Sequence, residues 1–298
     1  MSAQKNRAMS AQKNRAMSAP QSAAATASDR EQRTLVAARA ERAAERRLQT
    51  RDLILAIATP ILLLALWEVC ARVEIIDPRF FPAPSHIVQA GIEMAASGEL
   101  WQHTAPTLVR LLVGGGLGAL AGIAVGMLMG SSRALNAALG PLFSALYPLP
   151  KIAIFPILLM IFGATETPKL LSVFITTFFI MQISTVSGVW AIDKKLLEAG
   201  AAYGATGLNR FRHIVLPGAL PFVFNGLRTA TGTAVVVITA VEFTGASTTG
   251  LGYLIWNSWQ LFIPEKLYVG LVVIGVIGAL LTFIITRSEK LLLPWRRG

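Results

Sequence analysis

Six times between Leu53 and Thr286 the sequence enters an apolar run long enough to cross a bilayer: 53–71, 106–130, 136–163, 170–192, 219–245 and 267–286. A helix covers roughly 30 Å of hydrocarbon with about 20 residues. A membrane β-strand needs only about ten residues of alternating polarity, and these runs do not alternate. Without water in the hydrocarbon, backbone polar groups must pair inside the segment. The chain therefore reads as an all-α membrane protein with six transmembrane helices. Its composition agrees: 14% of the 298 residues are charged, against roughly 25% in soluble domains.

The net charge of +11 would suit a nucleic-acid partner, but Lys and Arg stand in blocks beside the apolar runs. That is the pattern of membrane flanks, so the expected contact is lipid and not nucleic acid. If the N-terminus is inside, segments 1–51, 131–135, 193–218 and 287–298 hold 20 Lys and Arg, and the alternate segments hold 4. Both termini and the 193–218 loop are therefore expected to be cytoplasmic. Residues 1–51 are expected to form a basic cytoplasmic tail, partly disordered, and 52–298 the membrane domain. The tail repeats "MSAQKNRA" at 1–8 and 9–16; its Ala/Arg-rich part, 29–51, reads as a surface helix. This basic head is longer than that of a signal peptide, and no small-residue cleavage site follows the first apolar run. Cys70 stands alone, which excludes an intrachain disulfide and a cysteine-based metal site. His86, His103 and His213 lie far apart, so no metal is expected.

Several spans carry features of their own. Gly118, Gly122, Gly126 and Gly130 recur every four residues in the second span, giving one flat helix face for a close neighbour. In the third span, Lys151 sits between Pro150 and Pro156, with Pro148 nearby. Prolines break the helix and free carbonyls that need donors. Lys151 has two readings: it lines a path for an anion, or it caps those carbonyls. Glu242, near the outer end of the fifth span, is, with Pro150, Lys151 and Pro156, a candidate for the translocation path or gate. It lines the cavity or gate, or satisfies a helix end or pairs with a basic residue across a dimer. Since a carboxylate repels an anion, the structural or gating role is preferred. Intramembrane charges usually face protein or water. Arg228 reads as reaching the inner interface. Between spans one and two, 72–103 begins Pro-rich and extended and continues as an amphipathic helix.

The loop after span four reads "EAGAAYGATGLNRFRHIVLPGALP". Glu198–Ala205 has helical character and almost no side chain at Ala199, Gly200, Ala201 and Ala202. Such a rod buries little in lipid but fits a narrow protein groove. Glu198 is expected at the helix start, where the dipole favours a negative charge. Gly204 and Gly207 turn the chain, and Pro217 suits the first turn of the next span.

This spacing is Glu198-Ala199-Gly200, three residues, Gly204, nine residues, Ile214, one residue, then Leu216-Pro217. It resembles the EAA motif of ATP-binding-cassette (ABC) importer permeases, with Gly200 in place of the second alanine. "YPLPKIAIFPILLMIFG", "VEFTGASTTGLGYLI" and "EKLLLPWRRG" are similar to the nitrate/sulfonate/taurine subgroup of those permeases. The resemblance implies a type I importer (MetI-like) permease fold in a bacterial inner membrane. It also implies a coupling helix that inserts into an ATPase, with Glu198 pairing to a basic ATPase residue or serving only the dipole. Implied partners are two cytoplasmic ATPase subunits, a second permease copy, and a periplasmic or lipid-anchored solute-binding protein. ATP and magnesium would belong to the ATPase; no G-x-x-x-x-G-K-[ST] phosphate loop occurs here. The expected cargo is a small anion such as a sulfonate, taurine or nitrate. Relatives of that subgroup also serve pyrimidine-type vitamin precursors and aromatic acids. An ion-coupled carrier would show paired broken helices, and only one break is visible. No nucleophile-and-base set for an enzyme appears.

Overall fold

The computed structural model describes residues 51–244 and 247–294, all helix and connecting turns. The readings of residues 1–50 lie outside the described residues. The chain divides into two units after Val69. In the first, the described residues belong to α1 (Arg51–Arg72), a helix long and apolar enough to cross a membrane. A helix that is apolar all round requires lipid or another chain around it.

The second unit begins at the end of α1 and continues through α2 (Pro84–Ala96), α3 (Glu99–Ser131), α4 (Arg133–Leu146), a 3₁₀ turn (Lys151–Ile154) and α5 (Phe155–Phe162). It proceeds through α6 (Thr167–Trp190), α7 (Lys194–Ala202), α8 (Gly207–Arg210), a π-turn (Phe211–Val215), α9 (Leu216–Phe243), α10 (Leu251–Gln260) and α11 (Pro264–Leu292). Among the described residues, five helices are long and apolar enough to span a membrane; the sixth span exists only if α4 and the 151–162 segment count as one, bent by 89°. The prolines around 150 and the turn they impose explain why this span alone is not one straight helix.

The centre of the unit is α6, packed between α3 and α9. The glycines of α3 set this arrangement. A Cβ on Gly122 would lie 2.6 Å from the Phe178 carbonyl, one on Gly126 2.8 Å from that of Gln182, and one on Gly130 2.7 Å from Val189 Cβ. The same face begins two turns earlier, at Gly114 against Leu170 and Val173. Both numberings rise together, so the two helices run parallel with their backbones nearly touching. On its other side, α6 places Gly188 against Phe222 of α9, and α9 returns Gly226 against Ser184. Met127, Met181, Val189, Val215, Ala219 and Val223 fill the space between these helices. The bundle therefore has two distinct ends, one where α7 lies and one where α3 begins.

Candidate functional site

At the α7 end, the Asp193 carboxylate accepts a hydrogen bond from the Lys195 backbone N–H at 2.9 Å and so caps the helix. The helix therefore starts at Lys194, and Glu198 lies one turn in and not at its start, correcting the expected register. Tyr203 ends α7, and Gly204 follows at φ +78°. That left-handed conformation is costly for any residue with a Cβ. Glu198, Ala199 and Gly204 are exposed. Gly200 faces Ile214, whose terminal methyl occupies the place a Cβ would take. Leu216 and Pro217 open α9, with Pro217 in its first turn. Ile214 and Leu216 pack instead against the core, while Tyr203 is 93% and Leu208 78% exposed.

At the break in the third span, Pro150 caps the 3₁₀ turn and Pro156 lies in the first turn of α5. Lys151 Nζ donates to the carbonyls of Leu149 (2.9 Å), Leu146 (3.4 Å) and Tyr147. It also lies 5.1 Å from the Tyr147 ring centre and 5.0 Å from that of Phe179. The ammonium thus serves carbonyls at the end of the broken helix; that of Leu146 also accepts from the Leu149 N–H at 3.3 Å.

At the opposite end of the bundle, Glu242 is 0% and Arg110 1% exposed. Arg110 Nη1 donates to Glu242 Oε1 at 2.6 Å. Its Nε and Nη2 hold the Glu166 carboxylate in a two-pronged pair, each bond 2.7 Å. Nη1 also reaches the Thr249 carbonyl at 3.1 Å. Glu242 accepts further bonds from Thr107 Oγ1 at 2.9 Å and from the Gly252 N–H at 2.8 Å. Lys169, 4% exposed, adds a bond to Glu166 at 2.9 Å. The Arg110 guanidinium, with help from Lys169, holds the Glu166 carboxyl down to about 2. Two cations and two carboxylates thus close on one another and tie α3, the start of α6, the end of α9 and the start of α10.

Sequence reasoning singled out Glu242 but not its partner, and the pairing is within the chain. A signal was present. Arg110 and Glu242 carry opposite charge at the same end of spans that run in opposite directions, and charges in membranes seek each other. Arg228, by contrast, pairs with Glu289 of α11 at 2.6 Å, linking α9 to α11.

Long spans packed along a glycine seam, one of them bent, with a small-residue helix exposed beyond them, define a multi-pass helical membrane protein. Residues 118–298 match the family described as "Binding-protein-dependent transport system inner membrane component". The taurine transport system permease protein TauC of Escherichia coli is 30% identical over 251 residues, covering 83% of this chain and 91% of that protein. A putative aliphatic sulfonates transport permease protein, SsuC of Bacillus subtilis, is 30% identical over 80% of this chain and 86% of its own. The bicarbonate transport system permease protein CmpB of Synechococcus elongatus is 33% identical over 62% of this chain and 66% of its own. Among solved structures, the inward-facing MetNI methionine ABC transporter superposes with a TM-score of 0.55 at 21% identity, covering 64% of this chain and 96% of that one. The last likeness establishes the fold alone. The chain belongs to this family: it is a multi-pass inner-membrane permease subunit of an ABC importer of the nitrate/sulfonate/taurine subgroup. It works with a separate ATPase and a solute-binding protein.

Proposed function

We propose that this permease carries a small anion of the sulfonate, taurine or bicarbonate type into the cytoplasm, and that α7 is where the ATPase grips it. The observation that carries the reading is the α7 surface. Glu198, Ala199 and Gly204 are presented beside Tyr203 and Leu208, an exposed apolar pair next to a helix with almost no side-chain bulk. Such a surface is complementary to a protein groove and gains little from lipid. The anion follows from relatives named for taurine, sulfonates and bicarbonate. On this reading, the α7 end and both termini are cytoplasmic, and two ATPase subunits bind the ATP and magnesium.

A second copy of the chain completes the path. Asn225, Thr229 and Thr233 recur every four residues on α9 and are exposed in the single chain. A polar stripe on a spanning helix belongs against another chain or water. The break at Pro150, Lys151 and Pro156 lends the path its flexible element. Glu242, with its oxygens engaged inside the chain, acts as a fixed point of the gate and does not touch solute.

The test uses the permease reconstituted in vesicles with its ATPase and binding protein. Wild type is expected to show faster ATP hydrolysis when the binding protein is loaded with taurine or an alkanesulfonate. Gly204→Trp, strained at a positive φ and bulky at the contact, is expected to insert normally and lose that stimulation. Full stimulation of the variant would refute the α7 assignment, and uptake driven by an ion gradient without ATP would refute ATPase coupling.

A further inference from the structure

On the side of α7 that faces the bundle, a cavity of about 560 Å³ opens among the ends of α3, α6 and the π-turn. Its size suits a small-molecule group. Val189 and Val215, both under 10% exposed, and Leu197 of α7 give it an apolar wall. Trp190, the last residue of α6, stands at its edge and is 60% exposed. A tryptophan ending a spanning helix is an interface residue, so the cavity lies at head-group depth. Lys194 and Arg210 also line it. Among the described residues, neither side chain forms an ion pair or a side-chain hydrogen bond, and no carboxylate lines the cavity. The neighbouring Asp193 is engaged at the Lys195 N–H, and Glu198 lies outside the lining.

Two free cations over an apolar wall at the membrane surface match a molecule that joins an anionic head to a hydrocarbon tail. We propose that this cavity binds an anionic glycerophospholipid of the leaflet beside α7, its phosphate held by Lys194 and Arg210. Basic recesses at helix ends on the cytoplasmic side are suited to such head groups. The consequence is mechanical. The lipid fills the space between α7 and the spans, so force applied to α7 passes to α3 and α6 and is not absorbed by the void. The proposal rests on reading the α7 end as cytoplasmic.

The experiment places the full transporter, permease with its ATPase, in nanodiscs of phosphatidylcholine with or without phosphatidylglycerol. Retained lipid is counted by native mass spectrometry, and ATP hydrolysis is measured in parallel. Wild type is expected to hold phosphatidylglycerol and to hydrolyse ATP faster when it is present. Lys194→Gln with Arg210→Gln is expected to hold it roughly 30-fold more weakly, the combined effect of two surface cations. The charge-keeping pair Lys194→Arg with Arg210→Lys is expected to retain it, which separates charge from folding damage. Equal retention by wild type and the Gln variant would overturn the proposal. So would rescue of hydrolysis in phosphatidylcholine by inorganic phosphate alone, which would mark a free-anion site. Loss of the ATPase from the Gln variant in lipid-matched discs would also overturn it, assigning the cations to the subunit contact. Failure of wild type to keep an ATPase would instead count against the α7 assignment, while lipid retention would still be read by mass.

Discussion

The two ends of the bundle treat charged groups in opposite ways. Around Arg110, every buried charge finds its partner inside the chain, and Glu242 accepts from a guanidinium, a hydroxyl and a backbone N–H. Around α7, Tyr203 and Leu208 face outward, and among the described residues Lys194 and Arg210 have no side-chain partner. At the first end the buried charges are closed within the chain. The second is a surface whose groups are satisfied only by something else. A transporter subunit needs both: a fixed point against which helices move, and a handle by which they are moved.

The sharpest way to break this contrast is at the closed end. Arg110→Ala leaves Glu242 buried beside no cation, and removing one partner of a buried pair costs about 3–5 kcal/mol. Thermal unfolding in detergent is expected to show a large fall in midpoint or no folded protein. Arg110→Met combined with Glu242→Met is expected to recover part of that loss, because an apolar pair carries no desolvation penalty. No recovery would mean that the two charges do not stabilise each other. A smaller effect is expected at the seam between the ends. Gly122→Leu pushes into the Phe178 carbonyl and Met181, an overpacking that costs about 1–3 kcal/mol. Gly116→Leu, with nothing within 4 Å of its added Cβ, is the control and is expected to leave the midpoint in place. Equal loss in both would argue against the close parallel contact of α3 and α6.

These comparisons also show what the sequence could reveal. The glycine seam was legible because a four-residue repeat in a spanning helix admits one physical use, close approach, although the sequence did not say that α6 was the neighbour. The break at Lys151 was legible from its prolines. The Arg110 pairings were harder to read, since they depend on which spans are adjacent and how deep each residue sits. The sequence places the start of α7 four residues late because Lys194 and Lys195 resemble a loop, whereas the Asp193 cap makes them the first helical turn. α10 was missed altogether: ten residues between two turns carry too little periodicity to stand out from a loop.

At the open end, substitutions are expected to separate stability from function. Leu208→Glu changes a side chain that is 78% exposed, and surface changes of this kind stay within about 0.5 kcal/mol. The unfolding midpoint is expected to hold, while recovery of the ATPase on affinity-tagged permease falls. A lowered midpoint with normal recovery would reverse the roles assigned to the two ends.

The least effect is expected from acid, and it reports on the closed end alone. Glu166 titrates near 2 in the folded chain, against an ordinary 4.5, because Arg110 and Lys169 hold its charged form. A depressed carboxyl stabilises the fold above the ordinary value, and that contribution declines as pH falls from there towards the folded value. The difference in unfolding midpoint between wild type and Glu166→Gln should therefore be constant from pH 7 to about pH 5.5 and should narrow below about pH 4.5. The Glu166 side chain is 58% exposed, so solvent screens the pair and the difference is expected to be slight even at neutral pH. A gap that widens on acidification would mean that the carboxyl is favoured in its protonated form, and that the four charges at this end do not close on one another.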